Sequence, residues 1–255
     1  MTDDPVTKAS VLEPAPRVWV RQAIDNMGWT DLGGELLVVD TLEESDLREE
    51  VFGAIRATAG ELPIPFVINT HTHGDHTALN SAFRAQFGST IVSQRNGGIP
   101  EAGTREFKGA RRTVEVIHMP GCHTPEDCVV WLPDARVLFS GDLFGWGLIP
   151  YNGNLRKGQA ELIRSTFRRL IELRPGTVVP GHGPLCSVDE LERWLEYFNW
   201  LCSELRDRAE DLGDLQDARA AVPPPDDMRN WWRFLDWKHE DSVKKVLKAA
   251  SRGWV

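Results

Sequence analysis

The chain has 255 residues and a formal charge of −9, with 41% hydrophobic and 26% charged residues. That length can bury a sizeable core, and a composition this close to the globular average excludes disordered, collagen-like and coiled-coil classes. The acidic balance argues against a nucleic-acid backbone as partner, and no apolar run approaches the roughly 20 residues of a membrane helix, so a small-molecule substrate is expected.

The start, Met1 to Pro16, is acidic and proline-containing and lacks the charged-then-apolar order of a signal peptide, which predicts a cytoplasmic protein. Residues 17 to 24 and 35 to 40 are rich in β-branched side chains, predicting two strands that could open the fold as an antiparallel pair, with Gly33-Gly34 supplying turn chemistry. Leu47, Val51, Phe52 and Ile55 recur at helical spacing over Ser45 to Ala59. Pro63 and Pro65 stop that helix before a strand at 66 to 70, so the order implies an α/β unit. Further elements are predicted as a helix over 78 to 87, strands at 90 to 93, 114 to 118, 128 to 132 and 136 to 140, a helix over 159 to 173, and a strand at 177 to 180.

Four cysteines, Cys122, Cys128, Cys186 and Cys202, form no C-x-x-C pair and are expected to be free thiols. From Ser187 the pattern changes: Ser187-x-x-Glu190 is a capping box opening a long amphipathic helix to about residue 212. After a proline break at 222 to 225, two short helices are expected over 226 to 237 and 240 to 250. The chain thus divides into 1–186 and a helical C-terminal extension, 187–255. Ten tryptophans are present, and Trp194, Trp200, Trp231, Trp232 and Trp237 lie in that extension. They predict either core packing or an aromatic wall selecting a bulky apolar acyl group. Lys244, Lys245 and Lys248 predict a solvated face, and His118 and His239 ordinary polar roles.

The run Thr70-His71-Thr72-His73-Gly74-Asp75-His76 concentrates three of the seven histidines. Imidazole and carboxylate are the ligands that suit zinc and related ions, and Gly74 relieves the strain of turning four side chains to one point. Four ligands in one loop are too many for one tetrahedral ion but suit two neighbouring ions if other loops contribute. His123, Asp142 and His182 each follow an apparent strand in a glycine- or proline-containing turn. Tyr151 and Asn152, with Trp146, are candidate substrate contacts.

The ordered set H-x-H-x-D-H, then a histidine, an aspartate and a final histidine, resembles the metallo-β-lactamase superfamily across about residues 17 to 186. The resemblance implies a four-layer αββα sandwich of α/β class with the metals at one edge. It further implies that His71, His73 and His123 hold one ion, Asp75, His76 and His182 a second, and that Asp142 bridges them. Two zinc ions are expected, with iron or manganese suiting the same ligand types. Asp75 and Asp142 become the catalytic carboxylates of a hydrolase in which a metal-bridging hydroxide attacks the carbonyl of an ester, thioester or lactone.

Departures narrow the choice within the superfamily. The penicillin-cleaving branch typically has cysteine where Asp142 stands, which disfavours a β-lactamase. The chain is similar in length and helical ending to the glyoxalase II type, but that family's basic glutathione-binding residues have no counterpart in Gly145-Trp146-Gly147-Leu148-Ile149-Pro150. A mononuclear iron persulfide dioxygenase using His71, His123 and Asp142 is the alternative class. Self-association as a homodimer stays open at this stage.

Overall fold

The computed structural model describes residues 8–151, 153–208 and 222–255. Eleven strands and five α-helices are present among them. One sheet has the order β1 (Ser10–Ala15), β2 (Val18–Gln22), β3 (Met27–Asp31), β4 (Leu36–Val39), β5 (Phe66–Ile68), β6 (Thr90–Val92). Its first four strands run antiparallel and β4, β5 and β6 are parallel, as expected where α1 (Arg48–Ala59) and α2 (Asn80–Phe87) form the crossovers. The second sheet runs β11 (Thr177–Pro180), β10 (Val137–Gly141), β9 (Cys128–Leu132), β8 (Thr113–His118), β7 (Thr104–Lys108). Only β10 and β11 are parallel there, with α3 (Gln159–Glu172) between them.

Strand alternation builds the layers. Val18, Val20, Leu37 and Val39 of the first sheet and Val130, Leu132 and Phe139 of the second share one buried cluster between the sheets. The intervening residues Trp19, Leu36 and Val38 point the other way, where they pack with Val51, Phe52 and Ile55 of α1 and Phe83 of α2. On the far side, Val129, Trp131 and Leu138 meet Phe167 of α3. The same cluster takes in Trp194, Tyr197 and Phe198 of α4 (Val188–Arg208) and Val243 and Val246 of α5 (His239–Ala250). The result is the expected αββα order, its outer helical layer supplied jointly by α3 and the C-terminal helices. Trp194 is its centre, stacked 3.9 Å from Phe167 and 5.3 Å from Phe198 between ring centroids.

Three strands were not legible. The predicted opening pair is separated by β3, whose Met27-Gly28-Trp29 reads as a break because of its glycine; a Cβ at Gly28 would overlap the Phe139 ring of the opposite sheet, so the glycine marks close approach of the two layers. β1 contains Pro14, tolerated because it is an edge strand, and β7 is the other sheet's exposed edge. The capping box is present, with Ser187 N and Oγ both donating to Glu190 Oε2 at 2.8 and 2.7 Å. The helix it opens is described to Arg208, and the rest of the predicted span lies outside the described residues. The helix expected over 226 to 237 is instead a 3₁₀ turn (Asp226–Met228) and a π-helical turn (Phe234–Lys238). Arg233, at φ 53°, breaks the helical path between them. Lys245 departs from the solvated-face expectation: it is buried, and its Nζ reaches Asp241 at 2.8 Å and the Ile149 carbonyl at 3.4 Å. His118 and His239 are structural as expected; His118 accepts from Ala102 N and contacts the Pro125 carbonyl, and His239 joins Tyr197 to Val222. No helix among the described residues is long and apolar enough to cross a membrane.

Candidate metal centre

The seven predicted ligands meet at one edge of the sandwich, because each follows a strand whose end lies there. The 71–76 run follows β5, His123 sits in the β8–β9 connection, Asp142 follows β10 directly, and His182 follows β11. Their donor atoms form two groups sharing Asp142: His71, His73, His123 with Asp142, and Asp75, His76, His182 with Asp142.

Distances test whether the groups suit an ion. A tetrahedral zinc with bonds of about 2.0–2.1 Å separates its ligand atoms by about 3.3–3.4 Å. In the first group His73 Nδ1 lies 3.1 Å from His71 Nε2 and 3.0 Å from His123 Nε2. Asp142 Oδ2 lies 3.8 and 3.4 Å from the same two nitrogens. In the second group Asp142 Oδ1 lies 3.2 Å from His76 Nε2 and 3.4 Å from His182 Nε2. Asp75 Oδ2 lies 3.2 Å from His182 Nε2 and 4.0 Å from His76 Nε2. Each carboxylate oxygen of Asp142 therefore faces a different histidine set. His76 Nε2 and Asp142 Oδ1 are buried with no hydrogen-bond partner among the described residues. Such orphaned atoms are costly unless something coordinates them. The donor set and its spacing fit a bound cation in both groups.

Electrostatics agree. Burial, reinforced by neighbouring imidazoles, drives the His71 pKa down to about 2, so it is a neutral donor. Burial also opposes charge on His76 and His182, yet Asp142 and Asp40 lift His76 to about 10, and Asp142, Asp25 and Asp75 lift His182 to about 12. Asp75 is held down to about 2, chiefly by its hydrogen bond to His182. Asp142 stays well below the usual carboxylate range because His76 and His182 outweigh its burial. The second group thus carries carboxylates that demand positive charge, which protons supply in the absence of a cation and surrender when one binds.

A further shell orients the rings. His76 Nδ1 lies 2.9 Å from Asp40 Oδ2, His182 Nδ1 3.0 Å from Asp25 Oδ1, and His123 Nδ1 2.6 Å from the Pro150 carbonyl. Each contact fixes the tautomer that leaves Nε2 for coordination. Asp40 also accepts from Thr70 N and Oγ1, both at 2.8 Å, while Asp127 accepts from the backbone of His123 and Thr124. Asn26 Nδ2 donates to the carbonyls of Pro180 and Gly183 and pins the His182 loop. Sequence reasoning missed all of these. Asp40 ends an apolar strand at φ 57°, a weak signal, whereas Asp25 reaches a partner 157 residues away and has none. Asp40→Ala is expected to weaken metal affinity by about 10–100-fold in a chelator competition titration, with the fold retained.

A cavity of about 330 Å³ opens over the cluster. His73, Asp75, His123, Asp142 and His182 form its floor, and Trp232 and Trp237 line it from the C-terminal segment. Tyr151 instead lines a second groove on the other side of His73 and His123. Trp146 is buried against Phe144 and Trp231, behind the cavity wall, with its Nε1 donating to the Pro184 carbonyl. Asn152 lies outside the described residues. Cys122 is buried in the core, as a packing role requires.

The profile of the Metallo-beta-lactamase superfamily matches residues 26–96 and 85–182. Hydroxyacylglutathione hydrolase from Rhizobium meliloti is 32% identical over 121 residues, 44% of this chain and 45% of the relative. The enzyme of that name from Brucella anthropi is 29% identical over 176 residues, 63% and 62% of the two chains. The chain therefore spans about half to three-fifths of these relatives' length. Among solved structures, a metallo-beta-lactamase from Pontibacter korlensis superposes with a TM-score of 0.59 at 23% identity, covering 74% of this chain and 98% of that one. A double mutant of the sec-alkyl sulfatase PisA1 gives a TM-score of 0.72 at 14% identity, covering 97% of this chain and 51% of that one. With its ligand run, layer order and more than half its length matched by one profile, the chain belongs to the metallo-beta-lactamase superfamily.

Proposed function

We propose that this protein is a metal-dependent hydrolase that holds two metal ions, zinc by ligand chemistry, and cleaves an ester, thioester or lactone bond of a small molecule. The observation that carries the proposal is Asp142, whose two oxygens face separate histidine sets at 3.2 to 3.8 Å. In this reading His71, His73 and His123 hold one ion, Asp75, His76 and His182 the other, and Asp142 spans both. The ions would supply a water made nucleophilic near neutral pH and Lewis acidity towards a carbonyl oxygen.

The side chains supply the rest. Asp75 faces the cavity as a carboxylate and can orient an attacking water. The apolar wall lowers the polarity around the cavity floor, which strengthens the charge interactions there. The hydroxyacylglutathione hydrolase relatives support a thioester among the substrates to test, although the stretch after Asp142 remains without basic residues until Arg156.

Elemental analysis of protein purified without added metal, paired with hydrolysis of thioester, lactone and β-lactam substrates, tests the reading. Two zinc ions per chain with thioester or lactone turnover is the expected result. A single iron with oxygen uptake and no hydrolysis would replace it with the dioxygenase chemistry that His71, His123 and Asp142 alone could support.

A further inference from the structure

The cavity above the ligand cluster has an unusual lining. Among the described residues that form it there is no serine, threonine, asparagine, glutamine or tyrosine. Apart from the ligands, the side chains are Ile24, Phe144, Leu148, Pro150, Trp232 and Trp237, with the cations Arg233 and Lys238 held against the Trp232 ring. Sugars, peptides and nucleotides are recognised by directional hydrogen bonds from such neutral polar groups, and this surface offers none.

Two of the wall residues are also exposed where a soluble protein normally avoids it. Ile24 is 43% and Trp237 50% accessible, and Leu235, on the same π-helical turn as Trp237, is 51% accessible. Apolar side chains gathered at a cavity mouth, unlike single ones scattered over a surface, mark a place where apolar matter is received.

The wall is anchored to the ligand loops. Trp232 packs on Gly183, the residue after His182, where an added Cβ would lie 2.5 Å from the Trp232 ring. Phe234 sits against Gly147 in the loop after Asp142. Lys238 is directed at Trp232, donating to its carbonyl at 2.9 Å and lying 4.2 Å from its ring centroid, and Arg233 lies 4.9 Å over the same ring. These cations brace the indole that faces the cavity.

We infer that the substrate carries an apolar acyl group, which lies against Ile24 and Trp237 and places its carbonyl over the cluster of His73, His123, Asp142 and His182. The inference rests on the hydrolase reading and names its substrate class. At about 330 Å³ the cavity is near the lower limit of small-molecule sites, so it holds the acyl part and leaves the leaving group towards solvent. Binding should tighten by up to roughly fourfold for each methylene buried.

The test uses the metal-loaded protein and two series. KM is measured for p-nitrophenyl esters from acetyl to octanoyl, and Kd for methyl alkyl ketones from propanone to 2-decanone by tryptophan fluorescence. Both constants should fall with chain length in the wild type. Trp237→Ala and Ile24→Thr should flatten the slopes, lowering the octanoyl-to-acetyl preference at least about tenfold, and Trp237→Phe should restore most of it. Ester hydrolysis with no dependence on chain length, or tighter binding of a succinyl than of a butyryl ester, overturns the acyl-chain inference while leaving the hydrolase intact. Length-dependent ketone binding with no hydrolysis of any ester, thioester or lactone overturns the hydrolase reading instead.

Discussion

If the proposed dinuclear centre is right, Asp142→Ala is expected to abolish metal binding in both groups and to lower hydrolysis by at least about a thousandfold, beyond the 10²–10³ that losing a single electrostatic donor costs. The reason is geometric. Asp142 Oδ2 completes the set around His71 and His123, and Oδ1 completes the set around His76 and His182. Removing one side chain therefore deprives both groups of their shared anion, and in the proposed two-ion centre the cations would lose the charge that offsets their repulsion. Asp142→Asn keeps the shape and one oxygen but not the charge, so it should retain the fold and bind metal weakly. Elemental analysis alongside turnover decides the matter: a variant that kept two ions and more than a tenth of the activity would show that the centre does not depend on Asp142.

Gly181→Ala is the second large effect, and it acts without replacing a ligand. A Cβ at position 181 would overlap Asp142 Oδ1 and lie 2.9 Å from His76 Cε1. Relief has to come from Asp142, because His76 is wholly buried and tied to Asp40, and Gly181 itself is fixed by hydrogen bonds from Asn26 N to its carbonyl and from its own N to the Gly141 carbonyl. Overpacking of this kind costs about 1–3 kcal/mol, and here the displaced atoms belong to the second ligand group. The expected outcome is a folded protein with a lowered denaturation midpoint that holds at most the ion of the His71, His73 and His123 group. Wild-type metal content in Gly181→Ala would show that the loop after β11 relaxes more easily than its hydrogen bonds imply.

The two variants also separate what was legible early from what was not. Asp142 stands out in Phe139-Ser140-Gly141-Asp142 once the 71–76 run has been seen, because a carboxylate after an apolar strand completes a ligand pattern. Gly181 does not, since a glycine beside proline reads as ordinary turn chemistry and its constraint is set by a side chain from another strand. The same holds for Asp25 and Asp40, which act on His182 and His76 across the fold.

The tryptophan-rich ending shows the limit most clearly. Composition left two roles open, and the tryptophans divide between two places: Trp194 is stacked at the centre of the outer helical layer, while Trp232 and Trp237 line the cavity. The first is consistent with helical periodicity, because α4 keeps one apolar face that includes Trp194. It could not assign the second, because Trp232 and Trp237 flank and belong to a turn shaped by the left-handed Arg233 and by packing on Gly183 and Gly147.

By itself the sequence exposed the 71–76 run of candidate ligands and the α/β alternation of elements, since ligand type, spacing within one loop and strand periodicity are local properties that neighbouring residues reveal, while the four-layer order was implied by the family resemblance. Only the tertiary structure decided which oxygen of Asp142 faces which histidines, which carboxylates orient the rings, and which tryptophans reach the cavity. Those outcomes depend on contacts between β2, β4, β10, β11 and the C-terminal segment, which lie far apart along the chain and meet only when the two sheets pack.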